Sequence, residues 1–138
     1  DSTSAGTLLE SSDKNESMSI SKKTQGLELK DNFLKSKEGH DFQVTSWKFA
    51  KAYLSGDVSK IKNYLIDPDN KEHYYNVENR FDNVEFLILK LSSDDIKKDS
   101  VNAEYEFQMK GEDSYTYLYL EMKKIDNEWK VQYFGLEK

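Results

Sequence analysis

At 138 residues a single domain is the default, and a core of that size buries enough surface to fold without covalent staples. The chain has no cysteine, which excludes a disulfide framework, a thiolate metal site and a thiol nucleophile. Its 26 Asp and Glu against 20 Lys and Arg give a net charge of −6, and no run of Lys or Arg makes a basic face. Nucleic acid and anionic membrane surfaces are therefore poor partners, and a neutral, cationic or protein ligand fits better.

Residues 1–38 read as a disordered Ser/Thr-rich linker. Ten of the first 25 residues are Ser or Thr, no aromatic precedes Phe33, and charges of both signs follow no period. Such a segment has too little apolar surface to offset the entropy of ordering it, so it is expected to add nothing to folding. Its one apolar patch, LELKDNFL (27–34), is where a turn or short strand would lie on the domain. The Asn15-Glu16-Ser17 sequon reads as chance composition. No 18-residue apolar run is present to span a membrane.

The folded domain is expected over residues 39–138. From Asp41 the spacing predicts a helix, with Phe42, Trp47, Phe49, Ala50, Tyr53 and Leu54 on one broad stripe and Lys48 and Lys51 off it. On this reading Trp47 is a core anchor. Gly56 stops the helix and Asp57 caps a second, whose Val58, Ile61 and Leu65 repeat at helical spacing until Pro68 ends it. Residues 67–83 are polar and rich in turn formers, with room for a short third helix over 71–77.

The remainder reads as β. Residues 83–93 (NVEFLILKLSS) are apolar on both parities, SSDDIKKDS is a polar connection, and SVNAEYEFQMK (100–110) alternates without fault. GEDS turns the chain into SYTYLYLEMK (114–123), and Asp126-Asn127 turns it again into EWKVQYFGL. Such short links predict an antiparallel meander. The fold class is thus α+β, two to three N-terminal helices packed on a curved antiparallel sheet of about four strands.

Two stretches carry a family resemblance. FAKAYLSGDVSKIKNYL (49–65), a helix ending in a small-aromatic-Leu, Gly-Asp step before a second helix, resembles the opening of the nuclear transport factor 2-like superfamily. The closing hairpin KKIDNEWKVQYFGL resembles its last two strands, and the likeness covers about residues 42–138. A cystatin-like fold is the alternative, usually with one long helix in place of two. The resemblance implies an α+β cone, a strongly curved sheet wrapped on a helix, and is nearly silent on function, because this fold hosts enzymes, binders and assembly domains. The Ser/Thr-rich leader is similar to the linker of small lipoproteins of low-GC Gram-positive bacteria. That likeness implies an extracytoplasmic, membrane-anchored domain of uncharacterised role, with a lipidated cysteine just before Asp1.

Within such a cone an enzyme needs a buried acid or base. The set assigned inward is Leu87, Leu89, Leu91, Val101, Ala103, Tyr105, Phe107, Met109, Leu118, Leu120, Met122, Trp129, Val131 and Tyr133, which holds no carboxylate and no histidine. No catalytic residue is assigned. Tyr105, Tyr133 and Trp129 are the candidate cavity residues for a small molecule, the alternative use of the cone. Counted from Asp67 as position one, Asp69 falls at three and Glu78 at twelve of a calcium loop, but Lys71 and Glu72 occupy positions five and six, where an oxygen ligand and Gly are needed. The loop with His73 reads as solvated and acidic, so neither a metal nor a cofactor is assigned. With the even residues of SYTYLYLEMK inward, Tyr115, Tyr117 and Tyr119 face outward, joined by Phe86, Ile88 and Phe134, with Glu104, Glu106 and Glu121 as an acidic rim. That patch is the candidate interface for a protein partner or a homodimer. The sequence therefore predicts a non-catalytic binding or assembly module that uses the outer sheet face or the cone mouth.

Overall fold

The computed structural model describes residues 14–77, 81 and 83–137. It is α+β, with the helices N-terminal to a five-stranded antiparallel sheet that does not close into a barrel. Where a disordered linker is expected, the chain is helical: α1 spans Lys14–Lys35. Residues 1–13 lie outside the described residues. Leu27 and Leu29 are exposed, whereas Phe33 and Leu34 at the end of α1 pack on the core. The Phe33 ring lies 5.7 Å from Phe42 and 6.5 Å from Trp129. Packing thus begins ahead of residue 39, through the second half of the LELKDNFL patch.

Ser36 breaks the helix and starts the next. Its hydroxyl donates to the Phe33 carbonyl (2.6 Å) and accepts from the Gly39 N–H (3.0 Å), so helix α2 runs Lys37–Ser55 rather than from Asp41. The turn is tight enough that a Cβ on Gly39 would stand 1.7 Å from the Phe33 carbonyl oxygen. Gly39→Ala is therefore expected to push α1 off α2 and cost about 1 to 3 kcal/mol, as overpacking does. A melting curve unchanged by this substitution would show that the end of α1 does not pack as described.

Gly56, in the left-handed region at φ 71°, closes α2, and the Asp57 carboxylate caps α3 (Val58–Lys62) by accepting from the Ser59 N–H at 3.0 Å. Helix α3 stops well short of the expected Pro68 because the sheet takes over the backbone. Val131 N–H donates to the Tyr64 carbonyl (2.7 Å), and Ile66 N–H donates to the Val131 carbonyl (3.0 Å). A six-residue 3-10 helix, Lys71–Asn76, then matches the expected short third helix.

The strands are β1 (Val84–Lys90), the two-residue β2 (Ile96–Lys97), β3 (Ser100–Met109), β4 (Thr116–Ile125) and β5 (Glu128–Glu137). Their order is β1-β3-β4-β5, with β2 beside β1 on the same flank of β3. Asp126 and Asn127, at φ 52° and 67°, make the two-residue turn of the last hairpin. The far side of β5 is engaged by 64–66, whereas no described residue bonds to the far side of β1.

Phe42, Phe49, Ala50 and Tyr53 of α2 press on the inner sheet face, where Val101, Ala103, Tyr105, Phe107, Leu118, Leu120, Met122, Trp129 and Val131 are buried as the alternation predicts. The last strand departs from that pattern. Glu121 pairs with Tyr133 but Met122 pairs with Val131, so Gln132 is an extra residue, a β-bulge that reverses the faces beyond it. Tyr133 consequently points out at 45 % exposure and Phe134 points in at 0 %, the opposite of the expected assignment.

Candidate functional site

The residues of α2 fall into two neighbouring rows. Phe42, Ser46, Phe49 and Tyr53 turn to the core, and Val44, Trp47, Lys51 and Leu54, at i, i+3, i+7 and i+10, form a flanking row that looks towards β1. The row lies too far round the helix to be covered by the sheet, which leaves Trp47 at 42 % exposure where a core anchor is expected. Between it and β1 runs an apolar groove in two adjoining hollows that share Trp47. The first, about 380 Å³, has Val44 and Trp47 on one wall, Leu89 on the other and Tyr105 beneath. The second, about 460 Å³, is bounded by Trp47, Lys51 and Leu54 on one side and Phe81, Val84 and Leu87 on the other.

The polar equipment of the groove is small. The Ser46 and Tyr105 hydroxyls share a buried hydrogen bond of 2.7 Å, and burial pushes the Tyr105 pKa up, partly offset by Ser46. The Tyr105 ring meets Trp47 edge-on at 6.2 Å, and the Lys51 ammonium stands 6.0 Å over the Trp47 ring. His40, Lys48 and Lys51 rim the groove, and no carboxylate is among its described lining residues. What this arrangement offers is apolar burial with a cationic border.

The outer sheet face answers why SYTYLYLEMK is apolar on both parities. Its tyrosines point out, as expected, but they are interleaved with acids. Register sets Glu106 against Tyr117 and Glu104 against Tyr119. The Glu106 carboxylate beside it raises the Tyr117 pKa. Tyr119 donates to Glu121 at 3.1 Å, and burial first, then this hydrogen bond, pushes its pKa up to about 12. Tyr133 lies across Gly135 and faces Tyr119 at 6.2 Å. Phe86 meets Tyr115 at 5.7 Å, and Tyr115 and Ile88 are about half exposed. Five of the six residues assigned to this interface thus lie on it, and Phe134 is replaced by its neighbour Tyr133.

A further hollow, about 640 Å³, opens where β1 leaves β3 and is lined by charges of both signs, Lys30 and Lys90 against Asp95, Glu104 and Glu137. Glu104 has its pKa raised, by burial first and then by Glu137. Among the described residues no group of three His, Cys, Asp or Glu stands ready for a metal ion, and Glu78 of the calcium-loop count lies outside them.

The chain matches no protein-family model, and comparison with curated proteins and with solved structures finds no match. Function therefore rests on the geometry.

Of the three candidate cavity residues, only Tyr105 lines the groove. Trp129 is buried at the other end of the sheet, where its indole N–H donates to the Glu38 carbonyl at 3.1 Å, and Tyr133 is outside. The sequence reading missed Val44 and the groove positions of Trp47 and Leu54, whose i, i+3, i+10 spacing was the available signal. His73 is buried and stacked on Phe134 at 5.8 Å, with no hydrogen-bond partner for its Nε2 among the described residues. His73→Phe keeps the stack and removes a buried polar atom, so the melting temperature is expected to hold or rise; a fall of several degrees would mean that the ring makes a polar interaction of its own.

Proposed function

We propose that this chain is a non-catalytic binding module that works outside the cytoplasm and takes its ligand in the groove between α2 and β1, the position of the cone mouth. The carrying observation is Trp47: a large aromatic left half exposed in an apolar groove, with a cation over its ring, is a binding anchor rather than a packing residue. The helix-first order and antiparallel sheet support the nuclear transport factor 2-like reading of the fold. The lipid tether and extracytoplasmic place are supported only by the Ser/Thr-rich leader and the cysteine-free composition.

A second reading keeps the outer sheet face as an assembly surface, favoured by the half-exposed Ile88, Tyr115 and Tyr133. One probe separates the two. Anilinonaphthalene sulfonate, an apolar ring system with one negative charge, is expected to bind the native protein saturably at one site. Trp47→Ala should weaken it about tenfold, which corresponds to roughly 1.4 kcal/mol, and Tyr117→Lys should leave it unchanged. Loss of binding in Tyr117→Lys with retention in Trp47→Ala would assign the function to the outer face instead.

A further inference from the structure

We propose that the occupant of the groove is an extended, acidic and apolar peptide segment that adds to β1 as a sixth strand. The inference rests on the reading of the groove as the binding site and goes on to name what fills it. Three observations combine.

The first is the edge. β1 pairs with β3 on one side, and among the described residues nothing bonds to its other side, although the opposite edge of the sheet is engaged by 64–66. An edge strand presents about every second N–H and C=O outward, a template for another extended chain. β1 has few of the usual protections. It contains no proline, its two charges Glu85 and Lys90 stand near its ends, and its middle is Phe86, Leu87, Ile88 and Leu89. A bulge at Glu85, between the pairs Val84↔Met109 and Phe86↔Gln108, disturbs only the first turn of the pleat.

The second is the groove itself. It runs along the inner side of this edge, so a strand added to β1 would drop alternate side chains towards Val44, Trp47 and Leu54 on α2. A cleft between an exposed edge strand and a helix is what strand addition uses, with affinity from main-chain hydrogen bonds and selectivity from pockets for every second side chain. One hollow lies against Leu89 and the other against Val84 and Leu87, so the two follow one another along the strand.

The third is charge. In a chain of net charge −6, the described lining of this groove holds Lys48 and Lys51 and no carboxylate. An incoming segment with acidic residues between its apolar ones is complementary to that border. A second copy of this chain is the poorer occupant, because pairing β1 with β1 about a two-fold axis would bring a second Lys48 and Lys51 rim towards the first.

The test is amide hydrogen exchange of the full chain with a nonapeptide of alternating Val and Glu, the same peptide N-methylated at alternate residues, and a Val/Lys nonapeptide. Added Val/Glu peptide is expected to slow exchange of β1 amides at least tenfold at saturation. N-methylation of the register that faces β1 should abolish that protection, and Lys48→Glu with Lys51→Glu should transfer it to the Val/Lys peptide. Absence of β1 protection at millimolar Val/Glu peptide overturns the proposal. So does protection that N-methylation in either register leaves intact, or protection already present without peptide in a particle of dimer mass. If the sulfonate dye still binds at Trp47 when the peptide fails, strand addition is wrong and the groove reading stands; if neither binds, both fall.

Discussion

Trp129→Ala is expected to lower the stability of the domain by about 3 to 5 kcal/mol, the cost of a large core truncation, and to reduce the melting temperature by roughly 10 °C or more. The side chain is 4 % exposed and joins β5 to α1 and α2, which lie far from it in sequence. Its ring meets Phe42 of α2 edge-on at 5.5 Å and Phe33 of α1 at 6.5 Å, and its N–H donates to the Glu38 carbonyl. Truncation leaves a cavity where α1, α2 and β5 converge. Trp47→Ala makes the contrast, since its ring is half in solvent and its loss should cost no more than about 1 kcal/mol. Equal losses from the two would mean that Trp47 is a core residue after all, and the groove would lose its centre.

Phe134→Ala should be as damaging, again about 3 to 5 kcal/mol. Phe134 is fully buried between Phe49 (5.2 Å), Tyr53 (5.7 Å) and His73 (5.8 Å), and so ties β5 to α2 and to the 3-10 helix. Tyr133→Ala, one residue earlier, removes an outward ring that covers Gly135 and should cost about 1 kcal/mol or less. Thermal or urea unfolding of the pair tests the bulge directly. The reverse order of costs would place Tyr133 in the core and remove the bulge at Gln132.

The pair also shows where the sequence was legible. The alternation of residues 100–110 holds because β3 is flanked on both sides and carries no bulge, so a period of two read from the sequence is the period in space. In β5 the same rule gave Trp129 and Val131 correctly and then failed at Tyr133 and Phe134, because one inserted residue costs little and leaves no compositional mark. The end of α3 was misjudged for a related reason. Leu65 has helical spacing from Ile61, but its backbone is claimed by Val131, a contact far away in sequence. Helix α1 was hidden by composition, since its exposed Leu27 and Leu29 and its Ser-rich start give no apolar face, and only Phe33 and Leu34 report the packing.

The candidate site was legible in part. The outward tyrosines follow from parity alone, but not the Glu106 and Glu121 partners that turn an apolar ridge into a tyrosine and carboxylate lattice. Tyr105 was identified as an inward hydroxyl, and its position beneath Trp47 needed the structure. The single broad stripe read on α2 is two rows, one for the core and one for the groove. Telling them apart requires knowing how far the sheet reaches, which periodicity does not carry.

The most direct test of the groove is an amide and indole correlation spectrum of the isotope-labelled chain titrated with anilinonaphthalene sulfonate and then with the Val/Glu nonapeptide. The chain has two tryptophans, so two indole N–H signals report on it, one from the groove and one from the core. The account predicts that the Trp47 indole and the amides of Leu87, Ile88 and Leu89 shift together while the Trp129 indole and the amides around Tyr117 and Tyr119 stay in place. Shifts confined to Tyr115, Tyr117, Tyr119 and Tyr133, with the Trp47 indole unmoved, would contradict it.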